Sequence, residues 1–234
     1  MTPVALNPAL ARSAGWLAIV HALMFFIPLG VLGAAIGWPA NLDLPASHNL
    51  PLLLSESVSV KLGYSVYLLY SILFWPAVLL ITRALSSREG GSVLLQLAAG
   101  FALVSTLARC LGIVRWLSVM PALATQYSGA DAGLQTTIGV VYDAFNAYAG
   151  RTGEVLGVFL FAALCVWLLS LALWRHSDMP RWLAVMGMAT ALGLSVLALE
   201  LFGLDLSAFI APFSILYMAW MVCLGTVLIR RAKR

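Results

Sequence analysis

Charged residues are scarce in this 234-residue chain, and their scarcity excludes an ordinary soluble protein. Only 9% of the residues are charged, whereas 62% are hydrophobic, and the mean hydropathy is +0.99. Globular domains carry about 25% charged residues. A chain this apolar has too little polar surface for water, so its solvent must be lipid over most of its length. No long polar region is left for a soluble sensor, a kinase or a nucleic-acid-binding domain.

Cysteine and histidine are also rare, which limits the metal and cofactor chemistry that the sequence can predict. The three cysteines, Cys110, Cys165 and Cys223, lie in apolar runs without a CxxC motif, so we predict neither a disulfide framework nor a zinc site. His21 is the only histidine within an apolar run, whereas a bis-histidine haem would need two. We therefore predict no metal and no cofactor, and we interpret His21 as a polar residue packed between helices.

Enzyme signatures are missing as well. The chain has no HExxH, GxSxG, P-loop or GxGxxG motif, and no paired aspartates in facing spans as an aspartyl intramembrane protease would need. The sequence therefore assigns no catalytic residue. Membrane enzymes often use scattered residues, so an enzymatic activity stays open, although a non-enzymatic protein is favoured.

Apolar runs of about 20 residues recur along the chain, as expected for membrane-spanning helices. The sequence predicts an all-α polytopic membrane protein in which residues 1–234 form a single domain, a bundle of six transmembrane helices. The predicted spans cover about residues 14–37, 58–83, 93–120, 150–174, 181–202 and 206–229.

Proline and polar residues mark the predicted connections. The Pro-rich stretch 38–51 and the polar stretch 122–135 predict loops, and Pro121 is expected to close the third span. SSREGGS at 86–92 predicts a short turn. A helical pattern restarts near Thr136 and continues to Trp174, which is too long for one crossing. Its first part is therefore expected to stand outside the hydrocarbon or to lie along its surface.

The basic residues predict the orientation of the chain. If the N-terminus is cytoplasmic, nine of the thirteen basic residues lie on the inner side, which is the positive-inside pattern, and both termini are cytoplasmic. These nine are Arg12, Arg83, Arg88, Arg175, Arg181, Arg230, Arg231, Lys233 and Arg234, opposed by only Glu89 and Asp178. The basic C-terminus suits anionic lipid head groups, or acts as a stop-transfer anchor.

Three ionisable residues on three predicted spans fall at a similar depth. At about 1.5 Å of rise per residue, Arg109 lies about 25 Å, Glu200 about 27 Å and Glu154 about 30 Å above the inner surface. The hydrocarbon core is about 30 Å thick, so all three lie near its outer boundary. An arginine facing lipid there would be unfavourable, so we expect Arg109 to face the bundle or reach outwards.

The sequence predicts different surroundings for Arg109 and Arg115. Six residues separate them, which is about 120° around a helix, so we expect them on different faces. Arg115 lies closer to the boundary and is expected to reach the head groups beside Trp116, an interface anchor. The nearby tyrosines Tyr64, Tyr67 and Tyr70 are interpreted as interface and packing residues rather than a stacking site.

Arg109 is the residue that most needs an internal partner. We expect a buried or half-buried ion network in which Arg109 pairs with Glu154 or Glu200, while Arg151 can pair locally with Glu154. The candidates for ligand binding or for this network are Arg109, Asp143, Arg151, Glu154 and Glu200. On the fourth span, the α-helical spacing predicts one stripe that contains Asp143, Asn146, Gly150 and Glu154. The network either fixes helix register around a shallow outer vestibule, or it holds an anionic ligand or relays protons.

One segment resembles a known family. DMPRWLAVMGMATAL, residues 178–192, is similar to the phrase xPRWLxxxGxxxA that opens the fifth helix of bacterial membrane proteins catalogued as domain of unknown function 4386. The residues that make this motif are Pro180, Arg181, Trp182, Leu183 and Gly187. The resemblance extends to the wider layout, in which family members have an arginine before the first span, an arginine within the third span, a proline in the sixth helix and a basic tail. In this chain these positions are Arg12, Arg109, Pro212 and Arg230. One departure is Tyr217, in the neighbourhood where family members tend to carry a glutamate after the sixth-helix proline. The resemblance implies fold and location, and it leaves function open.

These observations favour a non-enzymatic integral protein of the bacterial cytoplasmic membrane. Its outer-facing polar layer is predicted to bind a small ligand, a lipid head group or a partner helix. The alternatives are a small transporter, which should have a polar path to both faces, and an enzyme acting on a lipid at the outer leaflet. The predicted partner is the lipid bilayer and not nucleic acid, and the oligomeric state is not indicated.

Overall fold

The computed structural model describes residues 7–86 and 92–233, and every regular element in these ranges is helical. The predicted turn at 86–92 and the residues Arg88, Glu89 and Arg234 lie largely or wholly outside them. The α-helices are α1 Pro8–Met24, α2 Phe26–Ile36, α3 Ala46–Ser55, α4 Ser57–Leu85, α5 Val93–Leu117, α6 Val119–Ser128, α7 Ala132–Gly150, α8 Ala163–Arg175, α9 Arg181–Leu197 and α10 Ser207–Arg231. Two 3-10 helices, Ala40–Asp43 and Ala198–Phe202, and a π-helix, Arg151–Ala162, join them.

Six helical stretches of the described chain are long and apolar enough to cross a membrane, which confirms the predicted all-α, six-span class. They are Pro8–Ile36, Ser57–Leu85, Val93–Ser128, Ala132–Arg175, Arg181–Phe202 and Ser207–Arg231. Large apolar side chains such as Leu107, Val140 and Phe202 are exposed on them. Many exposed apolar side chains on apolar helices suit a lipid environment rather than water. The chain is a multi-pass membrane protein.

The residues group into two compact units. Unit A comprises Met24–Ser71 and Ala108–Glu154, and unit B comprises the described residues within Met1–Leu23, Ile72–Leu107 and Val155–Arg234. The single domain that the sequence predicts stays a prediction.

Unit B is built on close contacts between small residues. A Cβ added to Gly15 of α1 would lie 2.5 Å from the carbonyl oxygen of Gly225 on α10, so the two backbones touch. Small residues allow such close approach between helices in membranes, where packing rather than water exclusion drives association. His21 is fully buried in this unit, with ring contacts to Phe74 and Tyr217, as expected for a polar residue between helices.

The predicted loop at 38–51 is wrong, because this stretch of unit A is largely helical. It forms the 3-10 helix Ala40–Asp43 and the start of α3. Pro45 takes the N-cap position of α3 in an extended conformation, where a proline is tolerated. Pro51 lies inside α3 and removes one helical hydrogen bond, but Leu50 and Leu53 on this helix are buried in the core of the unit. Packing therefore outweighs the unfavourable effect of proline.

The predicted loop at 122–135 is also mostly helix. The backbone breaks at Ser118, and α6 then begins at Val119. Pro121 is the third residue of α6, where its missing N–H would have no helical partner, so it opens this helix instead of only closing the preceding one. Met120 and Ala124 pack into the same core as α3. α7 begins directly after Asp131, whose side chain accepts a hydrogen bond from the Leu134 backbone at 2.9 Å.

The side-chain amides of two asparagines, the buried Asn49 and the half-buried Asn146, attach the 38–55 segment to α7. The side-chain nitrogen of Asn49 lies within hydrogen-bond distance of the carbonyl oxygens of Asn41 and Leu44, both at 2.9 Å, and of the Tyr142 hydroxyl at 2.8 Å. The side-chain nitrogen of Asn146 donates to the carbonyl of Leu42 at 2.8 Å. A buried amide is well placed here because it satisfies carbonyls that would otherwise lack partners.

Two glycines bring α5 and the π-helix into backbone contact in unit A. A Cβ added to Gly112 would lie 2.6 Å from the Cα of Gly153 and 2.9 Å from the carbonyl oxygen of Ala149. Both neighbours are backbone atoms, which cannot move aside as a flexible side chain can. The glycines therefore set the distance between the helices that carry most of the predicted ionisable residues.

We predict that Gly112→Ala lowers the stability of the protein in lipid nanodiscs by about 1–3 kcal/mol, because the added methyl overpacks a backbone contact. Thermal unfolding of both proteins measures the loss. Gly100→Ala is the matched control, because Gly100 lies on the same helix with nothing within 4 Å of an added Cβ. Equal unfolding temperatures for the two variants would contradict the close contact.

We predict that Asn49→Ala destabilises the protein by about 1–3 kcal/mol, because it leaves buried acceptors unsatisfied. Tyr142→Phe should have a smaller effect, since it removes one of the three partners. Ser47→Ala, at an exposed position of α3, is the control. The attachment of the 38–55 segment is refuted if Asn49→Ala unfolds at the same temperature as this control.

Candidate functional site

Three tyrosines on α4 form the aromatic side of the candidate site. Tyr64 and Tyr70 are buried and Tyr67 is half-buried. The Tyr67 and Tyr70 rings stack with centroids 5.8 Å apart, and Tyr64 stacks on Trp116 of α5 at 5.2 Å with nearly parallel planes. These contacts agree with the interpretation of the tyrosines as packing residues, because the rings stack on one another and on Trp116. Trp116 is only 3% exposed, so it is a core residue and not an interface anchor.

A cavity of about 60 Å³ lies among these rings in unit A. Its lining includes the side chains of Arg109, Arg115 and Glu154 together with Tyr64 and Trp116. By formal charge, two arginines and one glutamate give this lining a net charge of +1. A net positive charge beside apolar side chains favours an anion, since the attraction between charges is stronger there than in bulk water.

Arg109 is 3% exposed, so it is buried in unit A, which corresponds to the first of the two predicted alternatives, facing other helices or reaching outwards. It forms a hydrogen bond with the Tyr70 side chain, and its Cζ lies 5.9 Å from the Tyr70 ring centroid. Tyrosine suits a buried arginine because its hydroxyl accepts a hydrogen bond while its ring face attracts a cation.

The prediction that Arg115 reaches the head groups is wrong, because this residue is only 8% exposed and lines the same cavity as Arg109. Its Nη1 donates to the carbonyl of Gly112 at 3.0 Å, one turn earlier on α5. Long side chains in helices point back toward the N-terminus. The guanidinium of Arg115 therefore points back along α5 toward Arg109. The angle of about 120° between the two Cα positions around the helix does not show this.

The Arg115 guanidinium keeps unused hydrogen-bonding capacity. Its Cζ lies 5.1 Å from the Trp116 ring centroid, and its Nη2 lies against Gly150, where an added Cβ would be 3.3 Å away. Its Nε is buried, and the described residues provide no hydrogen-bond partner for it. The Tyr64 hydroxyl, in the same cavity, is likewise buried without a partner in residues 7–86 and 92–233. A buried donor without an acceptor is unfavourable, so both groups suit a bound acceptor.

Glu154 is half-buried and lines the cavity with both arginines, while its charge acts on Arg115. It belongs to the π-helix Arg151–Ala162, in which hydrogen bonds join residues i and i+5. The wider turn changes which residues share a face, so the stripe predicted from α-helical spacing does not continue past Arg151. π-Helical turns are frequent at functional sites.

The other predicted site residues do not line this cavity. Asp143 is exposed on α7, and Arg151 is exposed at the start of the π-helix. Glu200 is half-buried in the 3-10 helix Ala198–Phe202 of unit B. The assignment of a ligand-binding role to these residues stays a prediction.

Four aromatic residues of the site were not selected from the sequence as binding residues. They are Tyr64, Tyr67, Tyr70 and Trp116. The tyrosines recur at every third position, a spacing that places side chains near one another on a helix, and this was the available signal. For metal ions, the described residues contain no group of three or more histidine, cysteine, aspartate or glutamate side chains that could hold one.

Comparison with known proteins identifies a family. Searches of curated proteins and of solved structures find no match. The model of the family described as Domain of unknown function (DUF4386) matches residues 13–231. This match covers nearly the whole chain, including the PRWL motif that opens α9 and both arginines of the cavity. The chain therefore belongs to the family of domain of unknown function 4386.

Proposed function

We propose that this protein is a non-enzymatic membrane protein that binds a small anionic ligand in the cavity of unit A. The observation that carries the proposal is the burial of Arg109 and Arg115 in one cavity whose lining, among the described residues, has a single carboxylate, Glu154. Buried ionisable residues in membrane-spanning segments are unfavourable and mark functional sites by default. The lining offers hydrogen-bond donors on Arg115 and Tyr64 that an anion would satisfy.

The same proposal places the protein in the bacterial cytoplasmic membrane, with both termini in the cytoplasm and the cavity toward the outer side. The excess of basic residues on the predicted inner side supports this orientation. The basic C-terminal residues Arg230, Arg231 and Lys233 are proposed to contact anionic lipid head groups, which attract such clusters.

The proposal predicts that a small oxyanion stabilises the protein. Thermal unfolding is measured in phosphatidylcholine nanodiscs while sodium formate, nitrate, sulfate or phosphate replaces chloride at constant ionic strength. At a concentration about 100 times its Kd, an anion that binds only the folded protein adds about 2.7 kcal/mol, a rise in Tm of several degrees.

Arg115→Gln should abolish this stabilisation, because it removes the buried positive charge. Arg83→Gln, at an exposed position of α4, should retain it. If none of the four anions raises the Tm of the unmodified protein in a saturable way, the anion-binding function is wrong.

The charges also contribute to the structure of unit A, and Arg109→Leu tests this contribution separately from ligand binding. This variant leaves the half-buried Glu154 with less compensation, and we expect a loss of about 3–5 kcal/mol without any ligand. Arg109→Leu combined with Glu154→Gln should recover part of that stability, as a double-mutant cycle would measure. Additive effects of the two substitutions would show that the two side chains do not interact.

A further inference from the structure

We infer that the anion bound in this cavity is the carboxylate group of a monocarboxylic acid, held at the Nε edge of Arg115 and by the hydroxyl of Tyr64. This inference rests on the proposed anion-binding function and names its ligand class. Three properties of the cavity support it: its free donors, its charge and its size.

The free donors point to a planar oxyanion. Arg115 uses Nη1 for the Gly112 carbonyl, which leaves the edge formed by Nε and Nη2 for another group. A guanidinium edge offers two parallel N–H groups that match the two oxygens of a carboxylate. The Tyr64 hydroxyl can donate a third hydrogen bond, since Tyr64 and Arg115 line the same cavity. All of these groups donate, so the ligand must accept.

The charge of the lining selects a monoanion. Arg109, Arg115 and Glu154 sum to +1, which a carboxylate neutralises. A phosphate monoester carries a charge of about −1.5 to −2 near pH 7 and would leave excess negative charge where water is scarce. Among organic oxyanions, this argument excludes phosphomonoesters and leaves two common monoanions, the carboxylate and the phosphodiester of lipid head groups.

The size of the cavity favours the smaller of these two groups. The cavity has a volume of about 60 Å³. A carboxylate has three heavy atoms in one plane and needs less space than a phosphodiester, which adds two oxygens and two substituents around phosphorus. Gly150 makes room for the guanidinium itself, since its missing Cβ would lie 3.3 Å from Nη2 of Arg115. The remainder of the acid must lie outside the cavity.

The test measures binding of sodium acetate and sodium butyrate to the full chain in phosphatidylcholine nanodiscs by titration calorimetry, with empty nanodiscs as the blank. Dimethyl phosphate, a soluble phosphodiester monoanion, and inorganic phosphate are titrated in parallel. Nanodiscs with phosphatidylglycerol test the lipid itself. We expect saturable binding of acetate and butyrate, with a Kd at least tenfold lower than that of dimethyl phosphate.

Arg115→Lys is the most selective variant, because it keeps the positive charge and removes the pair of parallel N–H groups at Nε and Nη2. We expect it to raise the Kd for acetate about 10- to 100-fold, and Tyr64→Phe to raise it up to about tenfold. Tyr148→Phe is the control, since this tyrosine is 76% exposed and does not line the cavity. Unfolding temperatures without ligand establish that each variant is folded.

The outcomes distinguish the inference from the proposed function. If dimethyl phosphate binds as tightly as acetate, or phosphatidylglycerol displaces acetate, the ligand class is wrong while anion binding stands. If Arg115→Lys folds and binds acetate as well as the unmodified protein, the assigned edge is wrong. If no anion binds, both the inference and the proposed function fail.

Discussion

The burial of two guanidinium groups among apolar helices is the constraint that organises unit A. A charged arginine without solvent needs hydrogen-bond acceptors, opposite charge or aromatic faces close to it. Arg109 has Tyr70, Arg115 has the Gly112 carbonyl and the Trp116 ring, and Glu154 supplies negative charge in the shared cavity. The tyrosines of α4 and the glycine contact between α5 and the π-helix can each be understood as serving this arrangement.

The architecture was predictable because it depends on average hydropathy over about 20 residues. Lipid requires each spanning segment to satisfy its own backbone, and this makes the apolar runs helical whatever their neighbours are. Short amphipathic segments were not predictable in the same way. α3 and α6 contain Pro51 and Pro121, and their helical form depends on burial of residues such as Leu50 and Met120 in a core that no local pattern shows.

The candidate site was predictable in part, for a different physical reason. The predicted depth of Arg109 follows from the rise of a helix, and this depth in turn implies that the guanidinium requires interaction partners within the protein. The direction of Arg115 does not, because a side chain with several rotatable bonds can reach back over a turn and meet groups far from its own Cα. Past Arg151, the π-helix also invalidates the α-helical spacing on which the predicted stripe depended.

The contact between Gly112 and Gly153 has a consequence for how the sequence can change over time. Most steric conflicts in a protein can be relieved by a second substitution that makes the opposing residue smaller. Here the opposing residue is already glycine, and the nearest atoms are backbone. Genetic suppressors of a larger residue at either position should therefore arise elsewhere, in changes that move a whole helix, and the two positions should resist change independently of each other.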